Sequence, residues 1–263
     1  MTLSYRCQGD RSKPALVLLH GFMGSTEDWQ RLTDYLQSHF YIILIDLPGH
    51  GNSALNDVSG FADFSYRLEQ LLGGFDLESF SLMGYSLGGR LAMAFAQQTS
   101  QCVDVLLLEG AHPGLVVDAE REQRRISDQQ WADRFNREPV ADVLMDWYQQ
   151  PVFSDLSQQQ RQALICMRAG QQGNRLAQAM MSFSLSVQAD YREALRKMDF
   201  PVHYFAGERD SKFLSIGRSL LDDHCLSGLH LIPFSGHNIH KEQPEALSNI
   251  ILSIVRRAVH DKH

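Results

Sequence analysis

The chain has 263 residues, of which 44% are hydrophobic and 21% charged, the composition of an ordinary folded globular protein. A chain of this length can bury most of its apolar surface in one core, so we expect residues 1–263 to form a single domain that carries an insertion. The formal net charge of −7 argues against general binding to nucleic acids or anionic membranes, which attract basic surfaces.

The four cysteines are far apart and form no C-x-x-C pair, which indicates reduced thiols in a cytoplasmic protein. Residues 1–11 contain no apolar run typical of a signal peptide. The longest apolar stretches, such as residues 41–45 and 105–108, are far too short to cross a bilayer. We therefore predict a cytoplasmic protein without a membrane segment, and the sequence indicates no particular oligomeric state.

Short apolar runs alternate with amphipathic stretches, a pattern that predicts the α/β class, with a mostly parallel sheet flanked by helices. The predicted strands are residues 16–19, 41–45, 80–83, 103–108, 202–206 and 229–232. The predicted helices are residues 28–37, 61–72, 87–97 and 244–259. Ser25 and Asp28 resemble a capping box at the start of the first helix.

The alternation of strands and helices breaks between residues 112 and 190. This stretch is rich in Gln and Arg and shows helical periodicity without a convincing strand, and strand-like runs resume only at residue 201. We interpret residues 112–190 as a helical lid, inserted after the sixth strand and lying over the carboxyl ends of the sheet.

The motif Gly84-Tyr85-Ser86-Leu87-Gly88 is a G-x-S-x-G sequence. Alone it is weak, since roughly one chain in ten of this size would contain it by chance. Here it lies between a predicted strand and an apolar helix, the strand–turn–helix setting of a nucleophile elbow, with glycines where Cβ atoms would clash. The context favours a reactive Ser86 over a chance loop serine.

Two partners for this serine follow later predicted strands. Asp210 comes directly after residues 202–206, and His237 comes shortly after residues 229–232. A serine hydroxyl needs a base to take its proton, and the base must be oriented by a third group. Single residues of these types are more often surface caps or core histidines, but the order Ser…Asp…His is the one expected of this arrangement. We predict Ser86, Asp210 and His237 as the catalytic residues.

An oxyanion site is predicted from two backbone amides. Phe22 follows the first predicted strand in His20-Gly21-Phe22, and Leu87 opens the helix after Ser86, at its positive end. No H-E-x-x-H motif or phosphate- or nicotinamide-binding glycine motif occurs. The sequence therefore implies no metal and no cofactor.

Arginines suggest the charge of the substrate. Arg90 lies one helical turn after Ser86 in an apolar helix, so it should be buried and should need an anion. The alternative is a structural salt bridge to a carboxylate of the sheet. The lid carries several arginines and no lysine: Arg121, Arg124, Arg125, Arg134, Arg137, Arg161, Arg168 and Arg175. Exclusive use of arginine suits bidentate carboxylate recognition, so we expect a polyanionic small-molecule substrate.

An aromatic pair in the lid leaves two interpretations open. Trp147 and Tyr148 could form an aromatic wall of the site, or they could pack the lid against the core.

Together these residues resemble the 2-succinyl-6-hydroxy-2,4-cyclohexadiene-1-carboxylate synthase family, whose members have the α/β-hydrolase fold. The similar segments extend over nearly the whole chain: residues 84–90, 109–115, 124–131, 147–153, 207–213 and 236–238. Ala111 is a departure, since the family pattern has a second glycine there.

The resemblance implies a lyase of menaquinone biosynthesis that eliminates pyruvate from 2-succinyl-5-enolpyruvyl-6-hydroxy-3-cyclohexene-1-carboxylate, a tricarboxylate. By similarity, Arg90, Arg124 and Arg168 bind the carboxylates, and Tyr85 and Trp147 shape the site. The resemblance also implies that Ser86 is a base that forms no acyl-enzyme.

Two other functions fit the same residues. A serine hydrolase acting on an ester, thioester or carbon–carbon bond of a small carboxylated substrate would share all three catalytic residues. The second is a ligand-binding receptor built on this fold. The complete set of Ser86, Asp210 and His237 argues against it, because a receptor has no reason to keep these residues together. Without the resemblance, the residues leave open whether Ser86 is a base or a nucleophile.

Overall fold

A computed structural model describes residues 3–54 and 58–260. The strands are β1 (Tyr5–Gln8), β2 (Ala15–Leu19), β3 (Tyr41–Ile45), β4 (Phe80–Tyr85), β5 (Val103–Glu109), β6 (Val202–Gly207) and β7 (Gly228–Ile232). The helices are α1 (Gln30–Leu36), α2 (Phe61–Gly73), α3 (Leu87–Gln98), α4 (Asp118–Arg137), α5 (Val140–Trp147), α6 (Gln158–Arg168), α7 (Gly173–Ser182), α8 (Arg192–Arg196), α9 (Ser211–Asp222), α10 (Ile239–Glu242) and α11 (Pro244–His260). Two short 3-10 helices cover Thr26–Trp29 and Pro151–Phe153.

The strands form one sheet in the order β1-β3-β2-β4-β5-β6-β7. β1 is antiparallel to β3, and all other neighbours are parallel. Helices α2, α3, α8 and α9 pack on one face of the sheet, and α1 and α11 pack on the other. Because helices cover both faces of the sheet, β2, β3 and β5 are buried at every position, and β2 and β3 are continuous apolar runs. The predicted α/β class with a mostly parallel sheet is confirmed.

All six predicted strands are present, with ends that differ by one or two residues. The prediction missed β1 because Tyr5–Gln8 is a mostly exposed edge strand without an apolar pattern. Its register comes from backbone pairing with β3 alone. The four predicted helices are present, although the first begins as the 3-10 helix Thr26–Trp29 before α1. All four cysteines are free.

The predicted capping box at the first helix is wrong. The Ser25 hydroxyl accepts a hydrogen bond from the Glu27 N–H at 3.3 Å. The Asp28 carboxylate instead forms ion pairs with Lys241 and Arg168. The buried Arg168 and the half-buried Lys241 attract this carboxylate more strongly than one backbone N–H would.

Helices α4 to α7 lie between β5 and β6, and no strand forms between residues 112 and 190, all of which the structure describes. The insertion therefore follows the fifth strand in chain order. The prediction that it follows the sixth strand is wrong, because the lid helices lie between β5 and β6. It has a hydrophobic core of its own, to which the loop after β2 contributes Met23. No helix in the described parts of the chain is both long and apolar enough to cross a membrane.

Candidate active site

Ser86 lies at a sharp turn between β4 and α3. Its backbone has φ +50° and ψ −107°, a strained left-handed conformation for a non-glycine residue. A Cβ on Gly84 would lie 2.4 Å from the backbone of Gly88, and one on Gly88 would lie 2.0 Å from the carbonyl oxygen of Leu19. Neither position can hold a larger residue without moving the backbone. The Ser86 N–H donates to the carbonyl of Glu109 at 2.8 Å, which ties the turn to β5.

His237 and Asp210 form a buried pair at the carboxyl ends of β7 and β6. The His237 Nδ1 lies 2.7 Å from the Asp210 Oδ2. Asp210 is also the N-cap of α9 and accepts a hydrogen bond from the Phe213 N–H at 3.2 Å, which fixes the carboxylate. The Phe213 ring packs 4.6 Å from the imidazole. When Nδ1–H donates to the carboxylate, Nε2 is the nitrogen left to accept a proton.

A cavity of about 320 Å³ contains the predicted site. All the predicted site residues line it except Asp210, which lies behind His237: Phe22, Tyr85, Ser86, Leu87, Arg90, Arg124, Trp147, Arg168 and His237. A larger cavity of about 980 Å³ shares Leu164, Arg168 and Asn238 with it but is lined by neither Ser86 nor His237. The smaller cavity is therefore the candidate active site.

Two backbone amides are placed for an oxyanion. Leu87 is the first residue of α3, so its N–H has no partner within the helix. Among the described residues, no acceptor is found for the N–H of Phe22. Both residues line the cavity that contains Ser86, so their N–H groups stay the candidate donors to an oxyanion.

Arg90 is buried without a carboxylate partner. Its Nε donates to the Gln188 Oε1 and its Nη2 to the Phe183 carbonyl. Within the described ranges no carboxylate lies at ion-pair distance from Arg90. The alternative of a salt bridge to the sheet is therefore wrong. Burial, and secondarily Arg124, lowers the pKa of Arg90 to about 9. The side chain stays charged at neutral pH and lines the cavity.

Arg124 is anchored to a carboxylate through its Nε atom. Its Nε donates to both Asp128 carboxylate oxygens at 2.8 Å, and the Ser184 hydroxyl donates to the same carboxylate at 2.6 Å. Asp128 is almost completely buried. Since only Nε is used in the described contacts, the two Nη atoms of Arg124 remain available to a ligand in the cavity.

Arg168 is paired with an acid. Its Nη1 donates to the Tyr148 hydroxyl at 2.6 Å, and its Nη2 lies 3.4 Å from the Asp28 Oδ2. Burial opposes ionisation of Asp28, but Lys241 and Arg168 outweigh burial and lower the pKa of Asp28 to about 2. A ligand carboxylate at Arg168 would therefore share this cation with Asp28.

The aromatic residues serve both packing and the cavity. The Trp147 ring contacts the rings of Phe22 at 5.5 Å and Trp131 at 5.1 Å, and it also lines the cavity. Trp147 therefore packs against the hydrophobic core of the insertion and also lines the cavity, so both positions that the sequence left open are occupied. The Tyr85 hydroxyl donates to the Asn238 Oδ1 at 2.8 Å, so its ring is held at the cavity wall.

Two charged residues of the cavity were not predicted as site residues. Lys212 lines the cavity, and burial, followed by the charge of Arg124, lowers its pKa. Its position two residues after Asp210 was the available signal. Asp128, four residues after Arg124, could have been found as the helical partner of that arginine.

A family model described as the alpha/beta hydrolase fold matches residues 14–244. The 2-succinyl-6-hydroxy-2,4-cyclohexadiene-1-carboxylate synthase of Citrobacter koseri is 45% identical over 248 residues, which cover 94% of this chain and 96% of that protein. The protein of the same name from Salmonella paratyphi B is 44% identical over 250 residues, with the same coverage.

Solved structures agree with these matches. MenH from S. aureus has a TM-score of 0.89 at 25% identity and covers 98% of this chain and 99% of its own. A thermophilic esterase from Thermogutta terrifontis has a TM-score of 0.80 at 20% identity, covering 97% of this chain and 93% of its own. The esterase shares the fold alone, and one fold hosts many reactions.

Proposed function

We propose that this chain, which belongs to the 2-succinyl-6-hydroxy-2,4-cyclohexadiene-1-carboxylate synthase family of the α/β-hydrolase fold, eliminates pyruvate from 2-succinyl-5-enolpyruvyl-6-hydroxy-3-cyclohexene-1-carboxylate. The product is 2-succinyl-6-hydroxy-2,4-cyclohexadiene-1-carboxylate, an intermediate of menaquinone biosynthesis. The protein works in the cytoplasm, without a cofactor, on a small-molecule tricarboxylate. Residues 112–190 serve as the lid of a single domain that spans residues 1–263.

The observation that carries the proposal is the buried Arg90 in the cavity of Ser86. A buried guanidinium without a carboxylate is costly, and a ligand carboxylate would remove that cost. Arg124 and Arg168 offer two further cationic contacts, each partly neutralised by an acid. A substrate with three carboxylates matches three such cations, whereas a neutral ester would leave Arg90 unpaired.

The chemistry begins with a proton transfer. His237, oriented by Asp210, takes the proton from the Ser86 hydroxyl, and the serine oxygen takes the ring proton beside the succinyl ketone. The electron pair of the broken C–H bond moves onto the ketone oxygen, which becomes an enolate. The amides of Phe22 and Leu87 stabilise this oxygen.

The second step breaks the carbon–oxygen bond to the enolpyruvyl group. The enolate electrons form a ring double bond between C2 and C3, and the ring double bond between C3 and C4 moves to C4 and C5. Enolpyruvate leaves from C5 with the electron pair of the broken carbon–oxygen bond, takes the proton held by His237 and tautomerises to pyruvate. Tyr85 and Trp147 form the walls that hold the ring against Ser86. Ser86 acts as a base throughout, so no acyl-enzyme forms.

A serine hydrolase is the alternative that uses the same residues. It would act on a small carboxylated ester, a thioester or a carbon–carbon bond, with Ser86 as the nucleophile. The test is the release of pyruvate from the enolpyruvyl cyclohexene substrate, with p-nitrophenyl acetate and a small thioester assayed in parallel. We expect rapid pyruvate release and little turnover of the other two. Turnover of an ester or thioester without pyruvate release would make the protein a hydrolase.

A further inference from the structure

A second buried pair of a histidine and a carboxylate lies beside the proposed catalytic pair. The His240 Nδ1 is 2.8 Å from the Glu109 Oε1, and the His240 backbone N–H donates to the same oxygen at 3.2 Å. Both residues are essentially inaccessible to solvent, at 1% and 0% exposure. Neither lines the cavity of Ser86, so neither can contact a substrate there.

Glu109 is bonded to both parts of the proposed catalytic machinery. Its carbonyl oxygen accepts the N–H of Ser86 at 2.8 Å. Its carboxylate holds His240, which follows His237 by three residues in the short helix α10. One residue at the end of β5 therefore connects the turn that bears Ser86 with the segment that bears His237.

Tyr85 fills the space between the two histidines. Its ring centroid lies 5.2 Å from that of His237 and 4.6 Å from that of His240. The Trp29 ring lies 4.7 Å from the His240 ring. Since Tyr85 directly precedes Ser86, a shift of His240 would be transmitted to both sides of the catalytic site.

The energetics indicate that this pair does more than fill space. The Glu109 Oε2 is buried and has no hydrogen-bond partner among the described residues. Apolar side chains of similar volume can replace a buried pair with little loss of stability, or with a gain. Apolar side chains cannot form the two directional hydrogen bonds that Glu109 accepts from His240.

We propose that Glu109 and His240 are positioning residues that set the alignment of the Ser86 hydroxyl with the His237 imidazole. This inference rests on the proposed roles of Ser86 and His237. Glu109 acts through the backbone of the Ser86 turn and through α10, and His240 anchors α10 and the Tyr85 ring.

The test is steady-state pyruvate release by Glu109→Ala, Glu109→Gln and His240→Phe. We expect kcat of Glu109→Ala to fall about 100-fold at unchanged KM, the scale of loss that follows a misplacement of about 1 Å. Glu109→Gln keeps an oxygen acceptor for His240 and should recover most of kcat. His240→Phe keeps the ring contacts with Tyr85 and Trp29 but loses Nδ1–H, and its kcat should fall about 10-fold. Because Phe at this position retains the packing, this variant tests the proposal even if Glu109→Ala does not fold.

Ser86→Ala and the exposed-site control Glu193→Gln are assayed in the same series. Full kcat in Glu109→Ala and His240→Phe, with activity lost in Ser86→Ala, would overturn the positioning role and leave the proposed function standing. A raised KM at full kcat would overturn it in the same way. Pyruvate release retained in Ser86→Ala would instead overturn the proposed role of Ser86 and the positioning role with it, while pyruvate elimination would stand. Absence of pyruvate release from the parent protein would overturn the proposed function itself.

Discussion

Replacing Arg90 by methionine should lower the activity without lowering the stability of the fold. Methionine has a similar length and keeps the side chain apolar in its buried setting. A charge-assisted hydrogen bond from a guanidinium to a carboxylate contributes about 3 kcal/mol. Its loss lowers kcat/KM for the tricarboxylate by roughly 150-fold.

The effect on stability follows from the pKa of Arg90. Burial lowers that pKa from its ordinary value to about 9, so the unfolded chain binds the proton more tightly than the folded one. The charge therefore destabilises the fold at every pH below about 9, and the penalty fades as the pH rises above 9 towards the ordinary pKa of arginine. Methionine removes this penalty but also the bonds to Gln188 and Phe183. We expect the free energy of unfolding to stay equal or to rise by about 1–2 kcal/mol.

Two measurements on the same preparations check this prediction: kcat/KM for pyruvate release and the midpoint of urea unfolding at pH 7. Arg90→Lys is the matched control, since it keeps the charge but loses the bidentate geometry, and it should lose about 10-fold in kcat/KM. Full activity in Arg90→Met together with a clear loss of stability would refute the reasoning, because Arg90 would then be a structural residue.

Three further predictions concern the surroundings of the cavity. Asp28→Asn should lower the free energy of unfolding at pH 7 by about 2 kcal/mol, because its depressed pKa of about 2 stabilises the fold above pH 4. Urea unfolding measures this: the difference in the free energy of unfolding between Asp28→Asn and the parent should shrink as the pH falls from about 4 towards 2. The control Asp34→Asn, at an exposed position, should change the free energy of unfolding little at any pH. Gly110→Ala should lower kcat more than it raises KM in steady-state assays, because Gly110 has φ +54° and an added Cβ would lie 2.7 Å from the His237 Cε1. Lys212→Met should raise KM for the tricarboxylate with kcat nearly unchanged, and an unchanged KM would exclude Lys212 from binding.

Much of the fold and of the site could be predicted because local patterns encode both. The inner strands are continuous apolar runs, and the Ser86 turn combines a strand, two glycines and an apolar helix. Asp210 and His237 each follow a strand, and parallel strands bring their carboxyl ends together at one edge of the sheet. β1 has no such pattern, since its edge position requires only backbone pairing.

The partners of Arg90 and Arg168 could not be predicted, because they come from distant parts of the chain. Arg90 is held by Gln188, and Arg168 meets Asp28 across 140 positions. No sequence pattern around Arg90 or Arg168 shows whether a carboxylate lies beside it. The sequence therefore located the three arginines of the cavity but not Lys212, and only the fold separates Arg90, which lacks an acid, from Arg168, which has one.

The central claim is that Ser86 abstracts a ring proton and thereby drives the elimination. Pyruvate release from the enolpyruvyl cyclohexene substrate by the parent protein and by Ser86→Ala, at equal concentration, tests it most directly. We predict a loss of at least about 1,000-fold in Ser86→Ala, within the range for removal of a positioned base. Near-full pyruvate release by Ser86→Ala would contradict the account, because the proton would then be taken by another group.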